Sequence, residues 1–177
     1  MLSTFLSLFV MALQGYETQA YKVVERFDPV EIRYYPPAMK VKVESALSDN
    51  RNFNALFRYI SGNNVTNEKI AMTTPVYMHT TTKGQTMEFV LPARFNEQAP
   101  QPKGKGVEVY RANAGYFAAI RYGGYSTRDK EKNYTKKLVE ILEAKAITIV
   151  GSPALLSYDA PYKFYNRRNE ILVEIEN

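Results

Sequence analysis

The first half of this chain alternates polar and apolar residues, then shifts to helical spacing, and the second half repeats that order. Tyr21-Lys22-Val23-Val24 and Val30-Glu31-Ile32-Arg33-Tyr34 are β-prone segments joined by Asp28-Pro29, which predicts a hairpin. Pro36-Pro37 interrupts, and Met39-Lys40-Val41-Lys42-Val43-Glu44 then alternates at period two, as a half-buried strand does. After Ser48-Asp49, Phe53, Leu56, Phe57 and Ile60 recur at helical spacing up to Gly62, which predicts a short amphipathic helix with a glycine stop. Lys69 to Thr80 and Thr86 to Leu91 read as two strands around Lys83-Gly84.

Beyond the linker-like Pro100 to Gly106 come Val107-Glu108-Val109-Tyr110 and Gly115 to Tyr122 as strands, then a helix from about Thr127 to Lys145. Leu155 to Tyr158 and Ile171 to Ile175 close the chain as apolar segments. Two similar β-β-α-β-β halves, about 21–99 and 107–177, would merge into one curved antiparallel sheet or open barrel carrying both helices. The expected class is α+β in a single domain over 21–177, preceded by an apolar segment, 1–20.

Composition narrows this picture. A chain of 177 residues with 45% hydrophobic and 13% aromatic residues can bury one core without staples, and zero cysteines exclude disulfides and thiolate chemistry. The formal charge of +5 favours anionic partners, but the basic residues are scattered, with a cluster only at Lys130, Lys132, Lys136 and Lys137. No motif interleaves them with aromatic strand residues, so nucleic acid is set aside as a partner. Leu2 to Leu13 is too short to span a bilayer and has no Lys or Arg before it. It is either a retained segment that packs on the domain or touches a membrane surface, or an export signal.

Catalytic constellations are sparse. The single histidine, His79, excludes metal sites and triads that need a second one. It is a structural or surface residue, or one axial ligand to a haem iron. Glu140 and Glu143 share a helix face that reads as solvated. Lys69-Ile70-Ala71-Met72-Thr73-Thr74-Pro75-Val76 is β-prone around a methionine that either fills the core or lines a pocket for a flat apolar ligand. Tyr158 to Glu170 mixes aromatics with Arg167 and Arg168, which either meet a ligand carboxylate or tie the loop down through Glu170.

These two segments resemble the SOUL/haem-binding protein family, which carries Lys-Ile-x-Met-Thr-x-Pro-Val after its first helix and a Tyr-x-x-Pro to Asn-Glu stretch near its C-terminus. Tyr21 to Glu25, Glu31-Ile32-Arg33-x-Tyr35 and the Gly-Gly-Tyr at Gly123 to Tyr125 extend the similarity from about residue 16 to the end. Ile171-Leu172 stands where the family usually shows Val-Trp, and the chain has no tryptophan.

The resemblance implies a distorted eight-stranded barrel with two helices, a relation to the ligand-binding domains of multidrug-sensing regulators, and binding of haem or another tetrapyrrole. Members with a similar start to Gly15-Tyr16-Glu17-Thr18 are cytosolic, which favours a cytoplasmic, retained N-terminus over an exported one. Tyr34 occupies the position of the iron-ligating histidine proposed for the member that names the family, so it is either a substitute tyrosinate ligand or a packing residue of the strand. Other members hold the ring in an apolar cleft between the first helix and the sheet. By that likeness Met72, Met39, Phe57 and Leu91 would line the cleft, with Arg58 and Lys69 facing the propionates. The expected function is tetrapyrrole binding, sequestration or transfer by a monomer. The alternatives are an enzyme using an inward Glu44 or Glu88, and a membrane or protein interaction module.

Overall fold

The computed structural model describes residues 16–45, 51–81 and 84–176. Most of the apolar N-terminal segment, Ser48-Asp49 and Lys83 lie outside them. In chain order the elements are β1 (Glu17–Thr18), β2 (Lys22–Phe27), β3 (Val30–Tyr35), β4 (Ala38–Ser45), α1 (Arg51–Ile60), β5 (Thr73–Thr74), β6 (Val76–Thr81) and β7 (Gly84–Val90). They continue with β8 (Val107–Ala112), β9 (Gly115–Gly123), α2 (Arg128–Ala144), β10 (Ala154–Ser157) and β11 (Arg168–Ile175).

Among the described residues, nine strands form one strongly curled half-barrel in the order β2-β3-β9-β11-β10-β6-β7-β4-β8, every neighbouring pair antiparallel. The two expected halves, β3-β4-α1-β6-β7 and β8-β9-α2-β10-β11, are present with one exchange. The leading strand of each half pairs into the other: β3 lies against β9, and β8 against β4. The order is therefore symmetric about the β6–β10 pair, with β2 added at one edge. The expected strand from Lys69 begins later, at Thr73, because Ile70 is drawn under α1 and its N–H bonds to Ile60 O at 2.8 Å.

Period-two alternation assigns each side chain to a face. Outward residues Met39, Val41, Val43 and Phe89 meet Leu56, Tyr59 and Ile60 of α1 in one apolar cluster. Val30, Ile32, Ala118, Ile120, Ile171 and Val173 meet Leu138 and Leu142 of α2 in a second. The inward face carries Tyr35, Tyr77, Val90, Ala119, Leu156 and Leu172. Helix α2 starts at Thr127, whose side chain accepts from Lys130 N–H, with Asp129 and Glu131 in the first turn beside the positive end of the helix dipole.

Helix α1 ends as expected at Gly62, whose φ of 108° is open to glycine and strained for other residues. Asn63 N–H bonds to Arg58 O and Gly62 N–H to Tyr59 O, the paired bonds of a Schellman stop. The chain then turns around Asn64, which is wholly buried. Its amide donates to Tyr59 O (3.2 Å) and Glu68 O (2.7 Å) and accepts from Glu68 N–H and Thr66 Oγ1. This turn sets the direction in which Lys69 to Met72 leave the helix. Asn64→Ala strands buried backbone carbonyls and is expected to cost about 1–3 kcal/mol. Urea unfolding checks it, and an unchanged midpoint would refute the assignment.

Candidate ligand-binding site

Helix α1 rests on β4, β7 and β8, whereas α2 rests on β9 and β11. The outward face of the two central strands, β6 and β10, lies between them. Val76 and Met87 pack against the α1 cluster and Leu155 against the α2 cluster, and Met78 shares their face because it pairs in register with both Met87 and Leu155. All four side chains are half-buried. Phe53 and Phe57 of α1 reach the edge of this strip through Phe89, which pairs in register with Val76. Their rings stack at 5.9 Å and 13°, Phe53 meets Phe89 edge-on at 5.5 Å, and they remain 37% and 49% exposed. Folding alone gains little from displaying two stacked phenylalanines, whereas a flat apolar ligand would bury them.

The inward face holds a different environment, a cavity of about 390 Å³ whose walls include Tyr35, Tyr77, Tyr110, Phe117 and Leu172. Lys40 Nζ lies 3.5 Å from the centre of the Tyr77 ring and donates to Glu88 Oε2 at 3.1 Å, which also accepts from Tyr110 OH at 2.9 Å. His79 is stacked on Tyr77 at 6.5 Å, with Nε2 4.0 Å from Glu88 Oε1, too long for a hydrogen bond. Burial lowers the pKa of Lys40, against the opposing pull of Glu88. Burial also lowers that of His79, Glu88 opposing and Lys40 reinforcing, so the imidazole is neutral at pH 7. Burial pushes Tyr35 up to about 12 and Tyr77 and Tyr110 upward too, which keeps all three as phenols. Glu88 thus points inward with one oxygen already shared between an ammonium and a phenol. Glu44 is exposed at the end of β4 and pairs with Lys42. Among the described residues no group of three or more His, Asp or Glu side chains is placed to hold a metal ion.

A third cluster joins two of the sequence motifs. Arg33, from Glu31-Ile32-Arg33, forms a bidentate pair with Glu170, Nη1 to Oε2 at 2.6 Å and Nη2 to Oε1 at 3.1 Å. Arg168 adds Nε and Nη2 bonds to Oε1, and Tyr158 OH donates to Oε2 at 2.8 Å. Tyr21 lies against Arg33 and accepts from Arg168. The Arg-Glu tie anticipated in the C-terminal run is therefore present, and it fastens the two ends of the domain together.

The residues singled out by resemblance divide among these places. Met39 and Leu91 are buried beneath α1, adjacent through Leu91 N–H to Met39 O, and Met72 packs half-buried on the same cluster. Phe57 reaches that cluster through Phe53 and Phe89. Arg58 and Lys69 are exposed, before and after the Asn64 turn. Tyr34, on β3 where it pairs into the other half against β9, has its ring 5.3 Å from Tyr116 and is not brought to the others. His79 lies on the opposite face, in the cavity wall. Val76, Met78, Met87 and Leu155 were not singled out. The signal for Met78 and Met87 is their placement on facing strands of one hairpin.

A family model described as SOUL heme-binding protein matches residues 16–174. The chain is 28% identical to human Heme-binding protein 2 over 184 aligned positions, covering 90% of this chain and 86% of that protein. Solved structures that share the fold include the C-terminal domain of EcmrR (TM-score 0.58, 14% identity, 89% of this chain and 98% of that one) and a hydrolase from Listeria innocua (TM-score 0.59, 8% identity, 83% and 91%). At such identities they speak for the architecture alone. The match over nearly the whole described domain places this chain in the SOUL heme-binding protein family.

Proposed function

We propose that this protein binds haem or another tetrapyrrole on the apolar strip over the central strands, beside α1, and holds it for sequestration or hand-over rather than for iron chemistry. The observation that carries this is the stacked, exposed Phe53–Phe57 pair, joined through Phe89 to the strip of half-buried Val76, Met78 and Met87. Polarisable methionine sulfur and phenylalanine faces suit a flat aromatic ring. Met72 packs half-buried against the cluster beneath α1, and the exposed Arg58 and Lys69 are candidate partners for the propionates. Neither Tyr34 nor His79 is on this strip, so the residues present fit apolar contact with the macrocycle and not strong axial ligation.

His79 supports a second arrangement, because a neutral imidazole in an aromatic-walled cavity is a competent iron ligand. Titration with ferric haem, followed at the Soret band, separates the two. Phe53→Ala with Phe57→Ala is expected to weaken binding about tenfold or more, from the loss of roughly 1.4 kcal/mol or more of ring contact, while His79→Ala leaves it unchanged. The reverse result would move the ligand to the cavity. No saturable shift in the unaltered protein would end the proposal.

A further inference from the structure

The loop between β10 and β11 displays Tyr162, Phe164 and Tyr165 with 82%, 77% and 62% of their surfaces in water. It is not a loose segment. Arg167 Nη1 donates to Ala160 O at 2.7 Å and to Lys163 O at 2.6 Å, so the backbone curls around one guanidinium, which also lies over the Tyr125 ring at 4.6 Å. Asp159 grips Lys163 and the Arg168 N–H. A loop ordered this firmly holds three aromatic side chains outward at a cost in exposed apolar surface that the isolated fold does not recover.

Beside it is an open hollow lined by Arg121, Arg167, Gly123, Gly124, Asn166 and Asp28. Arg167 is over nine-tenths buried, and its Nε–H has no acceptor among the described residues. Arg121 is exposed, and Lys130 reaches Gly123 O at 3.2 Å. The charges facing this side are thus Arg121, Lys130, Lys163 and Arg167 against Asp28 and Asp159, and the latter is already satisfied. Tyr and Phe tips flanked by Lys and Arg are the composition that settles at a lipid–water boundary, and the chain's net charge of +5 has the matching sign for acidic headgroups.

We propose that the Tyr162–Tyr165 loop docks this protein onto anionic phospholipid membranes, the aromatic rings entering the headgroup layer and the Arg121–Arg167 hollow receiving a lipid phosphate. This surface is separate from the α1 strip, so it stands whatever that strip binds. Because the chain contains no tryptophan, Phe164→Trp places a single indole reporter in the loop.

Vesicles of phosphatidylcholine mixed three to one with phosphatidylserine are expected to sediment the full-length protein and shift the Phe164→Trp emission to the blue. Pure phosphatidylcholine, which carries no net negative charge, should do neither. The combined variant Tyr162→Ser, Phe164→Ser and Tyr165→Ser is expected to lose about tenfold or more of the binding, with its circular dichroism intact. Sedimentation without a blue shift, or equal binding by the triple-serine variant, would assign attachment to another surface and overturn the proposal. Failure to sediment at all would overturn it equally, leaving a protein partner as the occupant of the loop.

Discussion

Glu170→Ala is expected to destabilise the protein by about 3–5 kcal/mol, because it removes one buried carboxylate and leaves the guanidinium it neutralised. Glu170 is wholly buried and Arg33 nearly so, and five hydrogen bonds from Arg33, Arg168 and Tyr158 converge on its two oxygens. Glu31 remains to Arg33 in the variant, but only at the edge of the cluster. Glu170→Gln keeps the shape and part of the hydrogen bonding, so its cost should be smaller. Burial by itself would raise the Glu170 pKa. The bonds and charge of Arg33, reinforced by Arg168, outweigh it and lower the pKa below the ordinary 4.5.

A depressed carboxylate contributes stability that is fully present above its unfolded pKa and is lost as pH falls through its folded one. Urea unfolding of the two proteins should therefore differ by the full amount at pH 7, and the difference should narrow only below about pH 4.5. A variant as stable as the parent at pH 7 would show that the cluster does not hold the domain's ends together. So would a gap that closes already near neutrality.

The same cluster shows what the sequence could and could not reveal. Glu31-Ile32-Arg33 and Arg168-Asn169-Glu170 were legible as motifs, and a local Arg168–Glu170 tie was foreseeable from their spacing. That Arg33 would complete it across 137 residues was not. The contact depends on β3 pairing with β9 rather than staying within its own half, and no local pattern encodes that exchange. Strand positions and both helices were legible because period-two and helical spacing are local properties.

Lys40 marks the limit of that method. Alternation in Met39 to Glu44 assigns it to the polar, solvated face, yet it is buried, because the sheet curls until its inner face encloses Tyr77 and Glu88. Curvature is a property of the whole sheet, so the cavity beneath it was invisible. Helix α1 misled in the opposite sense. Its four apolar positions look equivalent at helical spacing, but the sheet beneath covers Leu56 and Ile60 and leaves Phe53 and Phe57 at the flank. What reads as one buried stripe is half core and half exposed flank.

That division predicts a separation of stability from binding. Phe89 is almost wholly buried, lies across from Val41 on β4 and Val76 on β6, and carries the edge-on contact to Phe53. Phe89→Ala removes a ring from beneath α1 and is expected to cost about 3–5 kcal/mol. Phe57→Ala, at a half-exposed ring on the helix flank, should cost far less while weakening haem binding. Under conditions where both variants remain folded, Phe89→Ala should also weaken binding, because Phe53 loses the ring that sets its orientation. Urea unfolding and Soret titration of the two variants side by side test the distinction. If Phe57→Ala proves the more destabilising of the two, the ring belongs to the core. If Phe89→Ala binds haem as tightly as the parent protein, Phe53 is not held in place for the ligand by the packing beneath it.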